Sequence, residues 1–338
     1  MRILTKKEVS LMENLVGINQ NSLQQILYKF LKQNYKKVTY DKDFLFAEGN
    51  IPIALVAHMD TVFKQPAKEV FYDRVKNVMW SPTGMGADDR AGVFSILKII
   101  KDGYRPHIIF TTDEEIGCVG AEALASYPCP FKDLKYIIQL DRRNSNDCVF
   151  YDCNNQEFEE YVESFGFVTA FGSFTDISEL CPSWGVAGVN LSIGYRNEHT
   201  VSEVLFVGQM LNTIEKVEKM LKDKPKFFKY IPYNSQDYLK AITKSYLDDY
   251  WYDDDTYYPY APWEEPKYRC TKCGKLFPED SVLPIKLIKG GTGFYCEECL
   301  YKHSYNLEWC RNCGEPFELE DRSNSSLLCP ECENKKLI

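Results

Sequence analysis

Five short stretches of the chain carry side chains that could act together on a metal ion. His58 and Asp60 stand two apart in IALVAHMDTV, Asp88 and Asp89 are adjacent in SPTGMGADDRAGV, and Glu114 and Glu115 are adjacent in IIFTTDEEIG. Asp141 follows the apolar run YIIQL, and His199 lies in LSIGYRNEHTVSE. Imidazole nitrogens and carboxylate oxygens are donors that suit zinc. Adjacent carboxylates repel one another, and burial makes each harder to ionise, so they need either solvent or a cation beside them. Singly, each stretch has a bland reading: a His-x-Asp pair is commonly structural, and Asp-Asp-Arg is commonly a solvated turn. Five stretches of one donor chemistry, in a chain with only 4 histidines, point instead to a shared site. Around them, Asp113 reads as a solvated or capping residue, Cys118 as a small buried one, and His107 as structural.

The elements that must carry these groups follow from hydrophobic period. IPIALVAHMD, HIIFTTDEE, YIIQLD and AGVNLSIGY read as short buried strands. NSLQQILYKFLKQ, RAGVFSILKIIKDG, EFEEYVESFG and VLFVGQMLNTIEKVEKMLKD read as amphipathic helices. Strands alternating with helices predict an α/β fold: a mainly parallel or mixed central sheet with helices on both faces. In open sheets of that kind, ligands gather just beyond the carboxyl ends of the strands. That is where four of the donor stretches fall, and the fifth opens a helix.

With this order and these flanking residues, His58-Met-Asp60, GADDRAG at 86–92, DEEIGCVGA at 113–121, Asp141 and His199 resemble the co-catalytic zinc exopeptidases. That group includes peptidase T, carboxypeptidase G and the bacterial leucyl aminopeptidases, and the similarity spans roughly residues 1–220. The resemblance implies that His58 and Asp141 hold one zinc, Glu115 and His199 a second, and that Asp88 bridges them. It implies Asp60 behind His58, Glu114 as general base, and a cis peptide from Asp88 to Asp89. Arg90 stands where the family usually has Lys. Many relatives carry a lid domain between the last two ligands, but Asp141 and His199 are too close in sequence to enclose one. An oxyanion-stabilising group would then come from Tyr195, Arg196 or Asn197. Arg196 could equally hold a substrate carboxylate or pair with Glu198. Asp176, in FGSFTDIS, resembles an element bordering the substrate pocket of the family; it would hold a peptide amino group or simply form a turn.

A second concentration of chemistry lies at the carboxyl end. Of 13 cysteines, eight form the CxxC pairs Cys270/Cys273, Cys296/Cys299, Cys310/Cys313 and Cys329/Cys332. Two such pairs supply four thiolates for tetrahedral zinc. CTKCGKLF…YCEEC and CRNCGEPF…LCPEC resemble zinc ribbons in tandem, each with Gly after its first pair and Phe three residues later. The expected organisation is a zinc-dependent peptidase-like domain over 1–225, a helix (near 235–249) and acidic aromatic linker over 226–266, and two tandem zinc ribbons over 267–338. Two catalytic and two structural zinc ions are expected.

A net charge of −9 speaks against broad nucleic-acid affinity. The opening residues mix charge into a helical pattern unlike a signal peptide, and no apolar run approaches a membrane span. Paired cysteines in such a chain fit a reducing compartment, so the expected location is cytoplasmic. The sequence thus predicts a metal-dependent hydrolase of an amide bond in a small peptide or N-acyl amino acid, most simply an aminopeptidase. A deacylase or amidase acting on a non-peptide small molecule is the first rival. A non-catalytic adaptor that binds a protein partner through the ribbons is the second.

Overall fold

The computed structural model describes residues 2–172, 174–224, 226–232, 267–278, 282–288, 292–303, 307–310, 316–319 and 328–335. The chain divides into two compact units, Met1–Asp249 and Tyr250–Ile338. The helix expected near 235–249 and the connector from 233 to 266 lie outside the described residues.

The first unit opens with helices α1 (Lys6–Val16) and α2 (Gln20–Asn34) and the hairpin β1 (Lys37–Tyr40) and β2 (Phe44–Glu48). The buried strand β3 (Ile51–His58) and a small hairpin, β4 (Phe71–Asp73) and β5 (Val78–Trp80), follow. Next come α3 (Ala87–Lys101), β6 (Pro106–Thr111), α4 (Val119–Ala125) and β7 (Tyr136–Arg142). Then β8 (Asp147–Val149), α5 (Gln156–Glu163), β9 (Val168–Thr169), α6 (Asp176–Trp184) and β10 (Gly188–Ser192) lead to β11 (Tyr195–Arg196), β12 (Val204–Phe206) and α7 (Val207–Lys222).

The central sheet is mixed and eight-stranded, in the order β1-β2-β6-β3-β7-β10-β8-β9. Its middle four strands, β6, β3, β7 and β10, run parallel. The antiparallel neighbours are β1–β2, β2–β6 and β10–β8. Strand β3 shows why both faces must be covered: Ile53, Leu55 and Ala57 join one core cluster, while Ala54 and Val56 join another. That alternation is the period of two of a strand buried on both sides. Helices α1, α2, α3, α5 and α7 contribute to the first cluster, and α4 and α6 to the second. The expected fold class is the observed one.

Local differences from the sequence reading are instructive. Val204–Phe206, read as the first turn of the last helix, is extended and pairs with β5 and β11 in a separate sheet, β11-β12-β5-β4. A short apolar run suits either period, and its neighbours decided it. Residues 226–232, expected to begin the linker, belong to the first unit. Phe228 is buried against Tyr136, Phe158 and Tyr161, with ring centroids 4.9–5.8 Å apart.

In the second unit a hairpin, β13 (Lys267–Arg269) and β14 (Leu276–Pro278), precedes β15 (Val282–Lys286), β16 (Thr292–Cys296), α8 (Glu297–His303), β17 (Leu307–Trp309), β18 (Pro316–Glu318) and α9 (Pro330–Lys335). Its larger sheet runs β16-β15-β18-β17, so strands from both cysteine-bearing halves share one sheet through a parallel β15–β18 contact. Lys272 and Tyr295 of the first half both bind Glu318 of the second. No described helix is long and apolar enough to cross a membrane.

Candidate metal centre

His58 ends β3, Asp141 lies near the end of β7, and Glu114 and Glu115 follow β6, so adjacent parallel strands deliver all four to one rim of the sheet. Asp88 comes from the start of α3 and His199 from the loop between β11 and β12. The Asp88 carboxylate stands between the two imidazoles. Its Oδ1 is 3.1 Å from His58 Nε2, and its Oδ2 is 3.2 Å from His199 Nε2. His58 Nε2 is also 3.4 Å from Asp141 Oδ1, and His199 Nε2 is 2.9 Å from Glu115 Oε2. Two donors on one tetrahedral zinc, each about 2.05 Å from it, stand about 3.3 Å from each other. The donor atoms of His58, Asp88 and Asp141, and those of Asp88, Glu115 and His199, lie within 4.8 Å of one another in each set.

The supporting contacts are specific. Asp60 Oδ1 meets His58 Nδ1 at 3.1 Å, while its two oxygens accept the backbone N–H groups of Glu114 and Glu115 at 3.1 and 3.0 Å. One carboxylate therefore fixes a histidine ring and the turn bearing both glutamates. The Asp88–Asp89 peptide is cis. Asp89 accepts from the backbone N–H groups of His58 and Gly92, and a side chain at Gly92 would meet the Leu140 carbonyl at 2.2 Å. Arg90 turns away from the cluster to bind the carbonyls of Leu15 and Ile18. Asp113 is neither free nor a ligand: its carboxylate and its N–H pair with the amide of Gln20. His199, Asp113 and Cys118 all have φ between 52° and 62°, a left-handed conformation rare for such residues and concentrated at functional sites.

The electrostatics show an excess of acid. Burial pushes Glu114 up to about 9; His58 opposes this, and Asp141, Asp176 and Asp88 add to it. Burial likewise drives Asp141 up to about 6 and Asp176 up to about 7. Hydrogen bonds to Asp88 and Glu115 draw His199 up to about 11. Against its burial, Asp141 and Asp60 hold His58 above its ordinary range. Glu115 Oε1 is buried with no partner. A crowd of buried carboxylates on two imidazoles, with one carboxylate oxygen orphaned, is a donor set that fits divalent cations.

A pocket of about 140 Å³ opens over the cluster, and Asp88, Glu114, Asp141 and His199 line it. Tyr195, a candidate oxyanion donor, is buried and donates instead to Asp141 Oδ1 at 3.1 Å. Asp141 Oδ2 accepts from Thr175 and Gln139. Asp176, read from sequence as either a substrate contact or a turn residue, is fully buried; its Oδ2 accepts from Thr111 and Gln139, and its Oδ1 has no hydrogen-bond partner among the described residues. Arg196 is exposed, its guanidinium 4.9 Å over the Phe206 ring, and Glu198 pairs with Arg143 rather than with Arg196.

Sequence reasoning missed Glu203. Its buried carboxylate accepts the N–H groups of Ala87 and Asp88 at 3.0 and 3.1 Å, and burial pushes it up to about 7. The α3 N-cap, Gly86, has no side chain to serve the first turn, so Glu203 fills that role from a distant part of the chain. Only its position four residues after His199 could have drawn attention to it.

In the second unit, the thiols of Cys270, Cys273, Cys296 and Cys299 gather within 4.8 Å of one another, as do those of Cys310, Cys329 and Cys332. Cys313 lies outside the described residues. Cys273 and Cys296 sulfurs are 3.8 Å apart, close to the roughly 3.8 Å separating two thiolates on one tetrahedral zinc. Cys296 N–H donates to Cys270 Sγ at 3.4 Å, and Cys329 N–H to Cys310 Sγ at 3.2 Å. The two halves thus repeat the same sulfur-supporting bond.

A model of peptidase family M28 matches residues 47–171 of the chain, a span that includes His58, Asp88, Glu115 and Asp141. Among solved structures, the chain is similar to a tripeptidase from Staphylococcus aureus subsp. aureus Mu50, with a TM-score of 0.54 and 14% identity over 65% of this chain and 98% of that one. It is also similar to aminopeptidase PepT from Bacillus cereus ATCC 10987, with a TM-score of 0.54 and 16% identity over 65% and 98%. A TET aminopeptidase from the marine sediment archaeon Thaumarchaeota archaeon SCGC AB-539-E09 gives a TM-score of 0.52 and 16% identity over 64% and 96%. At these identities the likeness is one of fold. Among curated proteins, none matches the chain.

Proposed function

We propose that the chain is a metal-dependent exopeptidase that hydrolyses an amide bond of a short peptide, with an N-acyl amino acid as the nearest chemical relative of that substrate. The observation that carries this reading is the Asp88 carboxylate, which presents one oxygen to each of two histidines that lie 141 positions apart (199 − 58) and come from different elements. His58 and Asp141 would hold one zinc, Glu115 and His199 another, and Asp88 both. When bound, such a pair of ions supplies Lewis acidity to a scissile carbonyl and brings the pKa of a water towards neutrality. Glu114, half-buried at the wall of the pocket, takes the proton of the attacking water and delivers it to the leaving amine. Cys118 Sγ, 3.7 Å from Glu114 Oε1, keeps that carboxylate oriented as a neutral thiol, its own ionisation suppressed by burial and by Asp176 and Glu114. Asp60 holds His58 and the Glu114–Glu115 turn in register.

The cysteine clusters would hold two further, structural zinc ions, which gives four per chain. Metal analysis after zinc loading should approach four equivalents, and chelation should abolish hydrolysis of dipeptides and aminoacyl-naphthylamides. Glu114→Gln should keep the metal and lose about 10²–10⁴-fold in kcat. Full activity in that variant would overturn the base assignment, and metal without turnover of any amide would leave the adaptor reading in its place.

A further inference from the structure

Arg142 is the last residue of β7, beside the ligand Asp141. Consecutive side chains of a regular strand face opposite sides of the sheet, yet Asp141, Arg142 and Arg143 all line the pocket. The register explains this. Gln139 pairs with Asn190, but Arg142 pairs with Ser192, so β7 carries one extra residue against β10. Such a bulge re-aims side chains next to a site.

The two arginines are used differently. Arg143 is held by Glu198 at 3.1 Å. The Arg142 guanidinium has no hydrogen-bond or ion-pair partner among the described residues, and its Nε is buried with nothing to donate to. No carboxylate of the pocket comes within ion-pair distance of it, although Asp88, Glu114 and Asp141 share its walls. A guanidinium presents five N–H groups in a planar fork. Leaving one buried and unpaired is unfavourable unless a group from outside completes it.

We propose that Arg142 binds a carboxylate of the substrate and so selects short substrates bearing an anion within one or two residues of the scissile amide. This rests on reading the pocket as an amide-hydrolase site. The short reach follows from adjacency in the chain: Arg142 directly follows a ligand, and each substrate residue spans only about 3.5 Å. It also moves the anion-binding role from Arg196, which is exposed on Phe206, to a residue of the sheet rim. The carboxylate can be the terminal carboxylate of a dipeptide or tripeptide, or an acidic side chain next to the amide.

The test compares Leu-Gly, Leu-Gly-amide and Leu-Glu-amide as substrates of the zinc-loaded full chain and of its Arg142→Met and Arg142→Lys variants. The unmodified chain should prefer Leu-Gly over Leu-Gly-amide by about 10- to 100-fold in kcat/KM, expressed mainly in KM. A preference for Leu-Glu-amide would assign the side-chain source instead. Arg142→Met should bring either ratio close to one, and Arg142→Lys should keep part of it. No preference in the unmodified chain, or one unchanged in Arg142→Met, would overturn the proposal. Reduced-amide analogues of the same three compounds, with binding followed by calorimetry, read the same ratios without turnover. A chain that hydrolyses nothing but binds the free-acid analogue through Arg142 would therefore refute the hydrolase reading and support the anion site.

Discussion

At the scale of single residues, Asp88 shows how one side chain can be shared. Its two oxygens face two histidines, so the placement of its backbone decides both contacts at once. Glu203 supplies that fixation by taking the N–H groups of Ala87 and Asp88. Replacing it with Ala leaves both buried donors unpaired, at a cost of about 1–3 kcal/mol each. Glu203→Ala should therefore weaken retention of metal at the proposed site by about 10- to 100-fold in competition with an indicator dye. Unchanged retention would show that α3 holds its own first turn. The donor groups that come together here were legible in the sequence because each sits in a short stretch whose chemistry is local. Glu203 was not, since its partners are 115 and 116 positions away, and neither were Gln20, which holds Asp113, and Arg142, which depends on a strand register.

At the scale of elements, the second residue of β6 is a buried histidine remote from the donor cluster. His107 stacks on Phe131 with centroids 4.2 Å apart, its Nδ1 accepts the Gly49 N–H, and its Nε2 has no hydrogen-bond partner. Burial lowers its pKa below 6.5, against the opposing pull of Asp133 and Glu48. Above that value the ring is neutral both folded and unfolded. As pH falls through 6.5 the unfolded chain takes up the proton first, and stability is lost until the folded value is also passed. The His107 ring resonances should titrate below 6.5, and His107→Gln should make unfolding stability less dependent on pH between 6.5 and 5. A titration at or above 6.5 would contradict this. The four parallel strands and the helices α1, α2, α3, α5 and α7 were legible from their apolar pattern, whereas the short α4 and α6 were not. The hairpin of β1 and β2 and the small sheet containing β12 were not, because these short strands lack the continuous buried run that marks β10.

At the scale of the whole molecule, two compact units carry two kinds of candidate donor cluster, nitrogen and oxygen in the first and sulfur in the second. That separation gives them different spectra. With cobalt in place of zinc, thiolate charge-transfer absorption should report only the second unit, and Cys270→Ser with Cys296→Ser should remove about half of it. Intact absorption in that variant would mean that the cysteines pair otherwise. The CxxC spacing announced that cysteines would cluster, but not that β15 and β18 would join the halves into one sheet. That junction has a consequence for the integrity of the polypeptide. Each half covers a margin of the other that would otherwise offer bare amides and carbonyls. A premature stop between β16 and β18 would remove β18 and leave the facing margin of β15 unpaired.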